Sequence, residues 1–331
     1  ALAVLAASGV AMAQSSVTLY GVADLGLVKS NGISAQMSGN GTMNNGNSRL
    51  GVRGVEDLGG GLKASFNFEQ GINAESGRTD QTCASSATPC GTAINPAVSN
   101  ATFQRAAWLG LSGNFGSVRL GRSLTPSYYG MAAWELTGVA NYSAAAKQFG
   151  FVAAGSRNDS QFAYTTPNFG GFSATLGYIM KPDNSGIAGG AAEGNAKYDL
   201  NVIYANGPIA AALSYNKTKD FKGNASLGGS YDFGVAKIAA SWQDGYKGGR
   251  GIEGQQKQSG FTIGGTVPIG AFSVTLDVAR DTKAKDTDVV VEGKYALSKR
   301  TFAYAAYYKD GEKKLSTGAK NHLGLGIRHN F

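Results

Sequence analysis

The chain lacks any candidate membrane helix. No stretch after its first residues approaches the roughly 18 consecutive apolar residues that a spanning helix requires, although 42% of its 331 residues are apolar. Proline is scarce, at 7 residues against 49 glycines, while Tyr and Phe contribute 15 each. That balance suits many short strands and tight turns better than helices. No linker, charge block or composition shift marks a domain boundary, and no repeat of fixed period is present. The two cysteines, Cys83 and Cys90, lie far in sequence from the two histidines, His322 and His329, so a metal centre lacks ligands and no cofactor is expected. Neither histidine is accompanied by a Gly-x-Ser-x-Gly turn or a recognisable partner acid, which argues against an enzyme. The absence of a polybasic cluster argues against a nucleic-acid arm.

Residues 1–13 are small, uncharged and mostly apolar, ending Ala11-Met12-Ala13. This reads as the tail of a cleaved secretory signal, leaving residues 14–331 as a single domain of an exported protein. From Ser16 onward the chain alternates strand-like segments with glycine-rich turns. The polar segment Ser30 to Asn47 reads as a long loop, Leu58-Gly59-Gly60-Gly61 as a short turn, residues 71–100 as a second long loop, and Gly113-Asn114-Phe115-Gly116 as another short turn. Further short turns fall near Asn168, Asn206, Phe233, Ile269 and Leu297. Along Leu62 to Gln70, Leu62, Ala64, Phe66 and Phe68 oppose Lys63, Ser65, Asn67 and Glu69. A strand puts those two sets on opposite faces, one suited to lipid and one to water.

The last segment, Lys320 to Phe331, sets Leu323, Leu325 and Ile327 against Gly324, Gly326 and Arg328 and ends on an aromatic. Lipid offers unpaired backbone groups no water, so a spanning sheet must leave no free edge. The expected fold is all-β: a transmembrane antiparallel β-barrel of sixteen strands, with long external loops and short periplasmic turns. Sixteen strands enclose a water-filled lumen in place of a packed core. Phe115, Phe169, Phe233 and Phe331 stand where an interfacial aromatic girdle is expected.

Several segments carry a family resemblance. Val17-Thr18-Leu19-Tyr20-Gly21-Val22-Ala23-Asp24, the run from Ser48 to Ala64, Trp108-Leu109-Gly110-Leu111-Ser112, and Gly116-Ser117-Val118-Arg119-Leu120-Gly121-Arg122 resemble the general diffusion porins of beta-proteobacterial outer membranes. The resemblance runs in order from Val17 to Phe331. It implies a homotrimer whose third external loop folds into the barrel and narrows it, here Ser123 to Asn158 with Pro126, Tyr128, Tyr129, Trp134 and Glu135. A substrate-specific channel would keep this fold and use loop aromatics such as Tyr128, Tyr129 and Trp134 to bind its solute.

The formal charge is +8, from 30 Lys and Arg against 22 Asp and Glu. Fixed positive charge in a narrow pore concentrates anions. Strand parity puts Arg49, Arg53, Lys63 and Arg119 on the inner wall. Arg122 falls on the opposite parity but joins them through the family's Gly-Arg motif at the loop entrance. Arg105 shares its parity with Leu109 and Leu111 and stays out of the pore unless a bulge intervenes. Each arginine could instead be paired with a carboxylate such as Glu56, Asp57 or Glu69. Glu135 is either the counter-charge across the constriction or a carboxylate that holds the loop. Loop cations such as Lys181, Arg250, Lys257, Lys313 and Lys314 are expected to meet solvent or lipopolysaccharide. Cys83 and Cys90 stand close together in the second long loop of an exported chain, which favours a disulfide over free thiols or a metal.

Overall fold

The computed structural model describes residues 15–79, 102–153, 155–181, 195–247, 256–311 and 318–331. The signal-like start, both cysteines, Arg250, Lys313 and Lys314 lie outside these residues. The described elements are β1 (Ser16–Ser30), β2 (Gln36–Ser38), β3 (Arg49–Gly59), β4 (Leu62–Asn73), β5 (Arg78–Thr79), β6 (Ala106–Gly113) and β7 (Gly116–Leu124), then α1 (Pro126–Trp134), α2 (Ala144–Gln148) and a 3-10 turn (Gly150–Ala153). There follow β8 (Arg157–Thr165), β9 (Phe172–Ile179), β10 (Lys197–Asn206), β11 (Ile209–Thr218), β12 (Asn224–Asp232), β13 (Lys237–Tyr246), β14 (Lys257–Ile269), β15 (Phe272–Asp281), β16 (Asp286–Ala296), β17 (Thr301–Lys309) and β18 (Asn321–Asn330). The short strands β2 and β5 belong to external loops. The other sixteen pair antiparallel with their neighbours and close into a barrel.

Closure is made by β1, whose neighbours in the barrel are β3 and β18. Its first half pairs with β3 from Ser16↔Val55 to Val22↔Arg49, and its second half pairs with β18 from Val22↔Asn330 to Ser30↔His322. Gly21 and Phe331 exchange both backbone hydrogen bonds at 3.0 Å. A Cβ on Gly21 would lie 2.3 Å from the Phe331 ring, so the aromatic can lie flat across the seam only because this position is glycine. The joint leaves lipid no exposed row of N–H and C=O groups, each of which would cost on the order of several kcal/mol in hydrocarbon.

Alternation holds as the sequence predicts. On β18, Leu323, Leu325 and Ile327 face outward, while His322, Gly324 and Gly326 face the interior and are buried. The short turns also hold. Gly59, Gly60 and Gly61 all take positive φ (84°, 61° and 81°), a left-handed run that side-chain-bearing residues disfavour. At this end of the barrel Phe115, Phe169, Phe233 and Phe331 are exposed. Ring pairs Phe172–Tyr204, Tyr231–Phe233 and Phe272–Tyr295, each with centroids 4.5 Å apart, complete an aromatic belt.

The opposite end departs from the uniform long-loop expectation. The β11–β12 and β15–β16 connections are only residues 219–223 and 282–285. In the second, Asp281 Oδ1 accepts from Lys283 N (2.8 Å) and Ala284 N (3.1 Å), and Lys285 adopts φ 59°. A carboxylate that satisfies two turn amides makes a tight hairpin sufficient there.

Candidate functional site: the constricted lumen

The chain between β7 and β8 turns into the barrel. Thr125 caps α1, its Oγ1 accepting from Tyr128 N at 3.0 Å, and Pro126 occupies the first turn, where its missing N–H costs nothing. The helix rests on the inner faces of β10, β11 and β12. Ser127 donates from N (2.9 Å) and Oγ (2.6 Å) to Asp199 Oδ1, Asn201 Nδ2 donates to the Pro126 carbonyl (2.6 Å), and Asn216 Nδ2 donates to Ser127 Oγ (3.1 Å). Trp134 is buried against Gly228, where a Cβ would sit 2.2 Å from the indole. The wall is carved to receive this side chain.

The second part of the loop lies over β15 and β16 through α2. Gln258 Nε2 donates to the Gln148 carbonyl (3.0 Å), and Lys294 Nζ donates to the Thr137 carbonyl (3.2 Å) while pairing with Glu292 (2.9 Å). The Tyr142 hydroxyl donates to Glu292 and accepts from Asn45 Nδ2 at 3.0 Å. Asn45 belongs to the first loop, which is itself drawn inward by the buried Asp24. That carboxylate accepts from Asn44 Nδ2 (3.0 Å), Tyr304 Oη (2.6 Å) and Gly46 N (2.9 Å). Asn141 Nδ2 completes the link with bonds to the Gly41 carbonyl (3.0 Å) and Asn47 Oδ1 (2.6 Å). The constriction is therefore built by two loops bonded to each other.

Between loops and wall lies a cavity of about 400 Å³ lined by Arg49, Arg105, Lys147, Arg157 and Arg328, with Tyr128 and Met131 on the loop side. One carboxylate answers part of this charge. Glu69 pairs with Arg105 Nε at 2.7 Å and Arg49 Nε at 3.4 Å, and accepts from Tyr20 Oη at 2.9 Å. Arg157 Nε donates to the Arg105 carbonyl (2.8 Å), and Arg328 Nη1 donates to Asn45 Oδ1 (2.7 Å). Burial lowers the pKa of the Lys147 ammonium, with Asp310 and Asp288 pulling it back up. Burial raises the Tyr128 phenol, against the pull of Arg157, Arg105 and Arg49.

The residues singled out in the sequence separate into groups. Arg49 and Tyr128 line the cavity. Arg53 and Arg119 face the same lumen but stack on aromatic rings, Arg53 on Tyr20 (5.1 Å) and Arg119 on Trp108 (5.2 Å) and Tyr129 (5.6 Å). Lys63 stands beside the short turn, opposite Asp57 in the β3–β4 register, three inward-facing positions along β4 from Glu69. Arg122 sits in a register shift between Gly121 and Ser123, where Gly121 has φ 120°. There Arg122 pairs with Asp159 at 2.6 Å and donates from Nε to the Gln104 carbonyl; it does not line the cavity. Glu135 also stays off the cavity lining. It follows α1 and spends both oxygens on its own loop, accepting from Thr137 Oγ1 (2.7 Å) and Val139 N (2.6 Å). Trp134 packs the loop against the wall and presents no face to a solute.

Four cavity cations escaped the parity argument. Arg105 immediately precedes β6, so its side chain is not bound to the strand's alternation and swings in to Glu69. Lys147 belongs to α2 in the loop, where no strand period applies, and Arg157 is the first residue of β8, directly after the loop. Arg328 shares its parity with the inward-facing Gly324 and Gly326, and that signal was available in the sequence.

Comparison with known proteins agrees with this geometry. Residues 1–315 match the family model described as Gram-negative porin. The outer membrane porin protein 32 of Delftia acidovorans is 38% identical over 99% of this chain and 94% of its own length. An outer membrane porin protein of Bordetella pertussis is 30% identical over 98% of this chain and 96% of its own. Among solved structures, the anion-selective porin from Comamonas acidovorans superposes with a TM-score of 0.72 at 27% identity, covering 96% of this chain and all of that one. The chain thus belongs to the Gram-negative porin family, as a sixteen-stranded outer-membrane barrel through which small hydrophilic solutes diffuse passively.

Proposed function

We propose that this porin prefers anions and that the preference is set at the constriction. The observation that carries the reading is the convergence of Arg49, Arg105, Lys147, Arg157 and Arg328 on one cavity, with Glu69 the carboxylate ion-paired to two of them. Fixed charges in a narrow, low-dielectric-walled passage concentrate counter-ions and repel co-ions. The basic wall extends along the lumen through Arg53 and Arg119, so an anion leaving the cavity meets further positive charge. Solutes move down their own gradient and the protein supplies a wet, charged path.

The similarity to an anion-selective porin supports the same reading. The zero-current potential of the purified protein in a planar bilayer, under a potassium chloride gradient, tests it. A potential of the chloride sign is expected, and a potential of the potassium sign overturns it.

The assembly is read as a homotrimer. Supporting this is an outer wall on which Leu25, Leu27, Leu323, Leu325 and Ile327 are exposed side by side across the β1–β18 seam, an apolar surface suited to lipid or to a second subunit. Native mass measurement in detergent decides between monomer and trimer.

A further inference from the structure

The constricted cavity is lined by cations of two chemical kinds. Among the described residues Arg49, Arg105, Arg157 and Arg328 supply guanidinium groups, and Lys147 alone supplies an amine. The guanidinium groups are held, Arg49 and Arg105 by Glu69, Arg157 by the Arg105 carbonyl and Arg328 by Asn45. Lys147 stands in the last turn of α2, a helix capped by Ser143, whose Oγ accepts from Ala146 N at 3.3 Å. That helix rests on β15 and β16. Among the described residues Lys147 Nζ makes one long hydrogen bond, to Thr42 Oγ1 of the first loop at 3.5 Å. The other charged or titratable groups acting on it are Asp288 of β16, Asp310 just after β17 and His322 of β18. Burial lowers the pKa of the amine, and the two carboxylates pull it back up.

A guanidinium stays protonated in proteins and has no lone pair to offer a carbonyl carbon. A lysine withdrawn from water gives up its proton more readily, and its amine is then a nucleophile that forms Schiff bases with carbonyl compounds. Fixed positive charge around it concentrates anions, and about 400 Å³ is room for a small organic ligand. We infer that Lys147 is a site of reversible covalent capture for small anionic aldehydes inside the pore. The nitrogen lone pair adds to the aldehyde carbon, a C=N bond replaces the C=O bond, and the carbonyl oxygen leaves as water with the two amine hydrogens. Nothing is oxidised or reduced, and water reverses the step. While the adduct lasts the cavity is occupied and conduction falls. This rests on the anion-preferring reading of the pore and adds to it a covalent site.

Pyridoxal 5′-phosphate is the probe, an anionic aldehyde whose imine borohydride fixes as a secondary amine. The intact porin in detergent is treated with a substoichiometric amount, reduced, and mapped by peptide mass measurement. Lys147 is expected to carry about tenfold more label than the exposed Lys283, Lys285 and Lys309, the enrichment that a basic cleft gives an anion. Pyridoxal, which lacks the phosphate, should lose that excess. Label spread evenly over the four lysines overturns the inference. In a planar bilayer without borohydride, the same probe should lower conductance, with slow recovery after washout in the wild type and immediate recovery in K147R, which keeps the charge and removes the reactive amine. Equal recovery in the two overturns the covalent step, since occupancy by an ion alone would then explain the block. If K147R yields no channels, the label map on the wild type decides. A zero-current potential of the potassium sign removes the anion-preferring reading and this inference together; one of the chloride sign with Lys147 unlabelled removes only this inference.

Discussion

The two sides of the lumen are built from the same alternating strands and do opposite work. Along β3, β4, β6 and β7 the inner wall carries Arg49, Arg53, Arg119 and, at its edge, Arg105. Along β10 to β16 it carries Asp199, Asn201, Asn216, Gln258, Asp277 and Glu292, all buried beneath the infolded loop. On the basic side a cavity remains between the arginines and the loop residues Tyr128 and Met131. The acidic and amide-rich side is covered, and several of its polar groups anchor the loop. Net charge alone therefore misstates the pore. Several of the carboxylates, Asp199, Asp277 and Glu292 among them, are buried away from the cavity that the arginines line.

The comparison is broken most severely by freeing the covered side. Trp134→Ala removes a buried indole at the α1–β12 contact, a loss of about 3–5 kcal/mol of local packing. The loop should then leave the wall, with single-channel conductance rising and selectivity falling. An unchanged conductance would mean that the hydrogen bonds to Asp199 and Asn201 hold the loop unaided. Next in size is the triple change R49Q/R105Q/R157Q on the open side. The anion-to-cation permeability ratio, read from zero-current potentials, should drop by about tenfold as the focused field collapses, with conductance little altered.

A pair of carboxylates sharpens the distinction. Glu69→Gln releases Arg49 and Arg105 from their counter-charge and should raise anion preference. Glu135→Gln, on the covered side, should leave the potential where it was while loosening the loop, because its oxygens bond Thr137 and Val139. Equal effects of the two on the zero-current potential would erase the difference between the sides. A smaller effect comes with pH. Burial lowers the Lys147 pKa below its ordinary 10.5, so its charge is lost as pH rises through a range below the one in which a free lysine titrates. Anion preference should weaken over that range, and Lys147→Gln should remove that part of the decline. Arg122→Ala should have the least effect on selectivity, since its pair with Asp159 is solvent-exposed and such pairs contribute at most about 1 kcal/mol.

The fold was legible because a barrel in lipid obeys a strict period. Leu62 to Gln70 and Leu323 to Ile327 each declare an outward face, and a glycine run such as Gly59 to Gly61 can only be a turn. The site was legible only where that period reaches. Parity placed Arg49, Arg53 and Arg119 in the lumen and could have placed Arg328. It failed for Arg105, one residue outside its strand, whereas for Arg122 it pointed away from the inner wall and only the Gly-Arg motif put the residue at the constriction, a place its pair with Asp159 does not give it. It had nothing to say about Lys147 or Arg157, which the loop delivers, and it left Glu135 undecided between counter-charge and loop anchor.

Local alternation and composition are enough to set the sixteen strands, their inward and outward faces, the short-turn end with its aromatic belt and the excess of positive charge. Which charges meet follows from the folded barrel alone. The cavity gathers side chains from β3, the approach to β6, α2, β8 and β18, positions separated by up to 279 residues between Arg49 and Arg328. Their convergence depends on barrel closure and on where a loop bonded to the opposite wall comes to rest, and neither is encoded in the local pattern of any one strand.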